Sequence, residues 1–69
     1  MTHKIPAVLA DTNGHRLEAH ELMTASAGLT AQDLKDVRAF LERRAQLLNK
    51  RLAGAYHFGN GVMTLWVQA

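Results

Sequence analysis

Four cations lie close together in the second half of the chain, and their side chains have the clearest capacity for binding chemistry. They are Arg43, Arg44, Lys50 and Arg51. In a helix, the seven-residue spacing puts Arg43 and Lys50 on one row and Arg44 and Arg51 on the next. Guanidinium and ammonium groups in such rows can bind phosphate oxygens or carboxylates. The pattern therefore predicts a contact surface for an anionic partner.

The same cations have a second explanation that needs no partner. Asp33 and Asp36 lie at the start of the predicted helix, and the cations lie at its end. This order of charge compensates a helix macrodipole. The sequence leaves both explanations open. Trp66 is the aromatic residue hardest to assign to a core, and Trp and Arg are enriched at binding hot spots. The predicted partner-binding residues are thus Arg43, Arg44, Lys50, Arg51 and Trp66.

Catalytic and metal-binding patterns are weak in this chain. It has no cysteine, and its four histidines are His3, His15, His20 and His57. His15 and His20 are five residues apart, which fits neither a helical zinc pair nor one face of a strand. Ser26 is the only serine, and no histidine lies near it in sequence to activate it. We therefore expect no catalytic residue, no metal, no cofactor and no enzymatic activity.

The length of 69 residues allows one domain at most, residues 1–69. Such a chain buries only about 60% of the surface of its unfolded form, and small folds usually need an additional source of stability, such as a disulfide, a metal or self-association. Because there is no cysteine, a disulfide is excluded, and we expect a homodimer. Phe40 and Leu47 lie off the main apolar stripe of the predicted helix and are the predicted dimer interface.

Composition and charge are those of an ordinary globular domain, with 48% hydrophobic and 20% charged residues. The net charge of +2 and the pI near 9.5 are compatible with a nucleic-acid partner. No apolar run approaches the roughly 20 residues that span a bilayer, and the apolar start is too short for a signal peptide. We therefore expect a cytoplasmic protein that does not enter a membrane.

The clearest predicted element is a helix over 31–53. Thr30 is a favourable N-cap, and Asp33 follows at the position from which a carboxylate can reach back to it. Gly54 is the predicted C′ residue that ends the helix. An apolar stripe runs along one side at steps of three and four, formed by Leu34, Val37, Leu41, Ala45, Leu48 and Leu52.

A turn signal at Asn60-Gly61 predicts a hairpin over 55–67. With a two-residue turn, Phe58 faces Met63 and the rings of the first strand share one apolar face. With a three-residue loop, the register shifts by one residue and a different set of side chains shares that face. In either register the long helix is expected to cover the apolar face.

A second turn signal, Asn13-Gly14, predicts a first hairpin over 4–22, with 4–10 paired to 15–22 through a type I′ turn. The residue types of the second segment also suit a helix over 15–25, which is the alternative. Residues 23–30 are predicted to be a loop because small residues dominate them.

Together these elements predict an α+β fold, a small single domain in which a β-β-α-β-β antiparallel sheet carries one long helix on a face. The alternative starts from the segment ELMTASAGLTAQDLKDV, residues 21–37, which resembles a helix–turn–helix with AGLT as its turn. This resemblance implies a winged-helix-like β-α-α-β-β fold in which the C-terminal hairpin is the wing.

The functional expectation is a small non-enzymatic binding module that docks on another macromolecule with an acidic or mixed surface. Compact proteins of this kind include inhibitors and adaptors, among them those of phages and plasmids. The alternative is a nucleic-acid-binding regulator that uses the basic half of helix 31–53 on phosphates.

Overall fold

The computed structural model describes residues 3–24 and 29–69, and these ranges contain four strands and one helix. They are β1 (His3–Asp11), β2 (Arg16–Thr24), α1 (Ala31–Leu47), β3 (Leu52–Gly59) and β4 (Val62–Val67). The predicted α+β class and the element order β-β-α-β-β are confirmed. Residues 25–28 of the predicted loop lie outside the described residues.

All four strands form one sheet in the order β2-β1-β4-β3. Each hairpin is antiparallel, but the central pair, β1 and β4, is parallel. The prediction of an entirely antiparallel sheet was therefore wrong at its centre. The reason is that α1 returns the chain to the end of the sheet where β1 finishes. Because β3 runs back from that end, β4 must run in the direction of β1.

The first hairpin settles the ambiguous segment after Asn13-Gly14 as a strand, so the helix over 15–25 and the winged-helix alternative were wrong. Pairing with the apolar strand β1, for example Ile5 with Leu22, overrides the helical propensity of these residues. The turn also differs from prediction. Gly14 (φ 86) has positive φ whereas Asn13 does not, so the turn is not type I′.

Asp11 organises this first turn. Its Oδ1 accepts hydrogen bonds from the backbone N–H groups of Asn13 (2.9 Å) and His15 (3.0 Å). The bond from His15 is the largest cause of the lowered pKa of the Asp11 carboxyl, because a carboxylate that accepts N–H donors is favoured in its charged form. The side chain is buried, and these bonds satisfy it.

The second hairpin confirms the predicted reversal at Asn60-Gly61 and has the two-residue turn, one of the two alternatives that the sequence left open. Both residues have positive φ, 54° and 77°, as a type I′ turn requires. Phe58 faces Met63 and Tyr56 faces Leu65, so the two-residue register is correct. The strand begins earlier than predicted, at Leu52, and the pairing is irregular between Leu52 and Tyr56.

Helix α1 begins as predicted and ends six residues early. Thr30 and Asp33 form a reciprocal capping box, with Asp33 N–H donating to Thr30 Oγ1 at 3.1 Å. The helix ends at Leu47 because Asn49 adopts a left-handed conformation, φ 57. The N–H of Lys50 then donates to the Ala45 carbonyl at 2.9 Å, as in a Schellman motif. The predicted limit of 53 and the role of Gly54 as helix stop were therefore wrong.

The core lies between α1 and one face of the sheet. Alternate residues of the two central strands point at the helix, and three residues spaced along α1 meet them. These buried residues are Ile5, Ala7, Leu9, Met63, Leu65 and Val67 of the sheet and Val37, Leu41 and Ala45 of the helix. Within the described residues, the opposite sheet face has no helix over it. Val8, Thr64 and Trp66 lie on that face and are half-buried.

Candidate binding groove

The predicted partner-binding residues do not form one surface. Arg43 is exposed on the side of α1 away from the sheet, and Trp66 lies on the sheet face opposite α1. Lys50 and Arg51 lie on the connection between α1 and β3 rather than on the helix. Arg44 points back to β2. A single flat partner therefore cannot contact all five predicted residues together.

Arg44 is engaged within the chain by Glu18 of β2. Its Nε and Nη2 donate to the two carboxylate oxygens at 2.9 and 2.7 Å, a bidentate pair. Mainly for this reason, and secondarily because His20 Nε2 lies 2.8 Å from the same carboxylate, the pKa of Glu18 is lowered to about 2. Arg44 therefore links the helix to the sheet, and its guanidinium is already hydrogen-bonded to the Glu18 carboxylate.

Phe40 of the predicted dimer interface also contacts β2. Its ring meets the His20 ring edge-on, with centroids 5.0 Å apart and an interplanar angle of 86°. It packs against the buried core cluster as well. Leu47, the other predicted interface residue, is 66% exposed. Phe40 thus has an intrachain partner, which the sequence did not identify, and the homodimer stays a prediction.

The opposite side of α1 is open, and a groove of about 280 Å³ lies between the helix and β3. Its lining is mostly apolar, and its residues are Ala31, Leu34, Lys35, Arg38, Tyr56, Phe58 and Met63. A smaller cavity of about 60 Å³ continues toward the start of β3, beside Leu52 and Gly54. The two spaces lie on either side of the pair formed by Arg38 and Tyr56. We call them together the α1–β3 groove.

Tyr56 is the central aromatic residue of the α1–β3 groove. The Arg38 guanidinium lies over its ring at 4.4 Å from the centroid. Arg38 Nε is also 3.3 Å from Glu42 Oε1, one turn along the same helix. The Tyr56 residue remains 48% exposed despite these neighbours. The groove therefore presents an ordered, accessible aromatic surface.

The outer edge of β3 runs along this groove and has no neighbouring strand within the described ranges. Its sequence, LAGAYHFG, contains no Lys, Arg, Asp, Glu or Pro. Natural edge strands usually carry such residues because they discourage pairing with another chain. The edge of β2 does carry them, at Arg16, Glu18 and Glu21. The β3 edge is thus the less protected of the two.

Register determines which backbone groups the β3 edge offers. The pair Gly59–Val62 closes a two-residue turn and is therefore hydrogen-bonded, and such pairs alternate along an antiparallel ladder. His57 consequently directs its N–H and C=O toward β4, whereas Tyr56 and Phe58 direct theirs outward. The two residues whose side chains line the groove thus also present free backbone donors and acceptors at its edge.

A second cleft, of about 380 Å³, lies between the end of β2 and the first turns of α1. Its lining is partly acidic, with Asp33 and Asp36 beside Leu22 and Met23. Thr24 also lines this cleft. The residues that follow it, 25–28, lie outside the described structure, and they include Ser26. Among described residues, no group of three or more His, Cys, Asp or Glu side chains is placed to hold a metal ion.

No protein-family model, curated protein or solved structure matches this chain. The described part of the chain contains no helix long and apolar enough to cross a membrane. Functional inference therefore depends on the geometry of its own residues. The sequence did not indicate the α1–β3 groove, because the groove depends on β3 being an outer strand of the sheet.

Proposed function

We propose that this protein is a non-enzymatic docking module that binds another polypeptide in the α1–β3 groove. The observation that carries the proposal is the coincidence of an apolar groove with an unprotected sheet edge on the same side of the molecule. Exposed edges and apolar clefts are two features by which folded domains bind peptides. On the other side of α1, the Arg44–Glu18 pair joins helix to strand.

Tyr56 is the proposed anchor of the contact. Tyrosine is enriched at binding hot spots because it adds a large contact area with few rotatable bonds. Arg38 lies over its ring and is paired with Glu42, so a cation and an aromatic ring are presented together in the groove. The roles of inhibitor or adaptor, the cytoplasmic location and the phage or plasmid source stay predictions from the sequence.

A pair of matched alanines on α1 tests the location of the docking site. Ala31 lines the groove, whereas Ala39 is exposed elsewhere on the same helix. A benzophenone amino acid is placed at either position, and the protein is irradiated in extracts of the cells that produce it. We expect a discrete adduct from position 31 and none from position 39. Equal labelling at both positions, or no adduct at either, would contradict the proposal.

Two substitutions test whether the adduct depends on the groove rather than on nonspecific adsorption. Tyr56→Ala in the chain labelled at Ala31 should abolish the adduct, because it removes the aromatic anchor. Leu47→Ala should leave it intact, since Leu47 is 66% exposed and lies outside the groove. Circular dichroism of both variants confirms that the fold is kept. An adduct that survives Tyr56→Ala would place the partner elsewhere.

A second candidate function is nucleic-acid binding, favoured by the distribution of charge. Among the described residues, each carboxylate is engaged within the chain, by a cation, an amide or the helix cap. Five cations have no carboxylate partner there, namely Arg16, Lys35, Arg43, Lys50 and Arg51. Unpaired cations are available to bind phosphates, which releases counterions.

Duplex DNA over a salt series tests this candidate. Affinity that falls steeply with salt, and falls further in the double variant Arg43→Glu and Lys50→Glu, would support nucleic-acid binding. The double variant leaves the α1–β3 groove unchanged, so its peptide-binding behaviour provides a control. Absence of binding at about 50 mM salt, where phosphate contacts are strong, would eliminate this candidate.

A further inference from the structure

We propose that the α1–β3 groove receives an extended segment of apolar and polar residues in alternation with an acidic residue at each end, which joins the sheet as an antiparallel strand beside β3. This inference rests on the proposed function for the location of the site and adds the chemistry and conformation of the ligand. The groove lies between a helix and a strand edge, which suits an extended chain.

Backbone pairing is the first argument. Tyr56 and Phe58 direct their N–H and C=O groups away from β4, as the register requires. An added antiparallel strand can exchange hydrogen bonds with these two residues. A helical or globular ligand would leave these groups to water. The β3–β4 ladder is irregular between Leu52 and Tyr56. Regular backbone pairing with the ligand is therefore expected only over a short stretch beside Tyr56 and Phe58.

Side-chain alternation is the second argument. On a strand paired with β3, every other side chain points to the helix side of the sheet. Those side chains would enter the apolar space bounded by Leu34, Phe58 and Met63. The intervening side chains would point to the opposite face, where His57 and Thr64 are neighbours in the sheet. The ligand is therefore apolar at alternate positions and polar between them.

Charge is the third argument, and it distinguishes a foreign partner from a second copy. The residues lining the groove and its extension include Lys35, Arg38 and Glu42, two cations and one carboxylate, for a net charge of +1. At the other end, the exposed Arg51 immediately precedes β3. A second copy paired edge to edge would bring cations against cations, whereas acidic ends on a ligand would meet Lys35 and Arg51.

The experiment uses the capped synthetic peptide EVTVTVTE as probe and isotopically labelled full chain in an NMR titration. We expect saturable shifts at the amides of Tyr56 and Phe58 and slower hydrogen exchange at both. The charge-reversed peptide KVTVTVTK should bind at least fivefold more weakly, which corresponds to about 1 kcal/mol. Peptide EVTVTVTE methylated on the backbone nitrogens that face β3 should lose at least tenfold in affinity, because methylation removes its donors.

Variants of the chain locate the charge effect. Lys35→Glu should weaken EVTVTVTE by about fivefold and strengthen KVTVTVTK, as expected for an exposed ion pair. Arg43→Glu makes the same change on the outer side of α1 and should alter neither affinity. Equal effects of the two variants would show that the net charge of the whole chain, not the groove, governs binding.

The remaining outcomes separate this inference from the proposed function. If both peptides and the methylated form bind the groove equally, strand addition is wrong but groove docking stands. If none binds at millimolar concentration while the Ala31 adduct still forms, the ligand chemistry is wrong and docking stands. Shifts confined to β2 would overturn both. Shifts at Tyr56 and Phe58 on raising protein concentration alone would identify a second copy as the occupant, contrary to the proposal.

Discussion

The two sides of α1 carry similar residues, but the ion pair on one side connects the helix to the sheet and the ion pair on the other side does not. On each side an arginine of the helix is paired with a glutamate, and an aromatic ring takes part in the contact with the sheet. Toward β2 the pair is Arg44 with Glu18, and it joins two elements. Toward β3 the pair is Arg38 with Glu42, and both residues belong to the helix. The first pair links the helix directly to the sheet, although the cleft of about 380 Å³ lies beside the first turns of α1 on the same side, whereas the second pair makes no such link.

The difference is that the members of the Arg44–Glu18 pair come from two elements, so this ion pair itself crosses from helix to sheet, whereas Arg38 reaches the sheet through the Tyr56 ring. An exposed i,i+4 pair contributes only a few tenths of a kcal/mol to its own helix. The bidentate Glu18 pair is better shielded, with side-chain exposures of 33% and 17%, and it is charge-assisted. We infer that the β2 side is the structural side of α1 and that the β3 side is free for a ligand.

The largest expected effect comes from truncating the aromatic residue on each side. Phe40→Ala should lower the free energy of unfolding by about 2–3 kcal/mol, because the ring packs on the core, though less fully than a buried phenylalanine. Tyr56→Ala should cost about 1 kcal/mol or less, because half of the residue is exposed. Urea denaturation of both variants measures the difference. Equal losses would mean that the two sides are packed alike.

Removing one carboxylate charge on each side should give the next largest difference. Glu18→Gln leaves the partly buried Arg44 without its ionised acceptor and should cost about 2 kcal/mol. Glu42→Gln should cost less than about 0.5 kcal/mol, as for an exposed helical pair. Both measurements belong at neutral pH and low salt, where surface pairs are strongest. A larger loss for Glu42→Gln would reverse the assignment of the sides.

Acid should weaken the β2 side selectively. The pKa of Glu18 is lowered from 4.5 to about 2 in the folded state, chiefly by Arg44, so folded protein favours the charged carboxylate. The resulting stabilisation is complete above the unfolded pKa and is lost as pH falls through about 2. The stability of the native chain should therefore decline from pH 4.5 to 2 more steeply than that of Glu18→Gln. Parallel curves for the two chains would contradict the pair.

The smallest effect is expected at the rim of the groove. Lys35→Ala should change the free energy of unfolding by less than about 0.5 kcal/mol, because Lys35 is exposed and pairs with no carboxylate among described residues. Thermal and urea denaturation both test this. A substantial loss of stability would show that the β3 side contributes to the fold, and peptide-binding effects of Lys35 variants would then need reinterpretation.

Local signals in the sequence predicted the elements that depend on near neighbours. The capping box at Thr30 and the turn at Asn60-Gly61 are both set within a few residues, and both were predicted correctly, although the sequence left two registers open for the hairpin. The helix end failed because Asn49, which adopts φ 57, competes with Gly54 for the same role. Both residue types tolerate the left-handed region, and the sequence alone does not rank them.

The α1–β3 groove and the Arg44–Glu18 pair both depend on residues that are distant in sequence, and the sequence analysis predicted neither. Glu18 and Arg44 are 26 residues apart and meet only because β2 becomes an edge strand. Arg44 was predicted to contact a partner because it belongs to the basic cluster, and nothing near it in sequence indicates that Glu18 would pair with it. Tyr56 and Phe58 were correctly placed on the helix face, but how far the helix reaches over β3 depends on the strand order.

The parallel pairing of β1 with β4 has a consequence for the timing of folding. The first and last strands are neighbours in the middle of the sheet, so Ile5, Ala7 and Leu9 have no complete surroundings until β4 is available. During synthesis, these side chains cannot reach their full native burial before β4 has emerged from the ribosome. Completion of the core therefore depends on contacts between the two ends of the domain, which are distant in sequence.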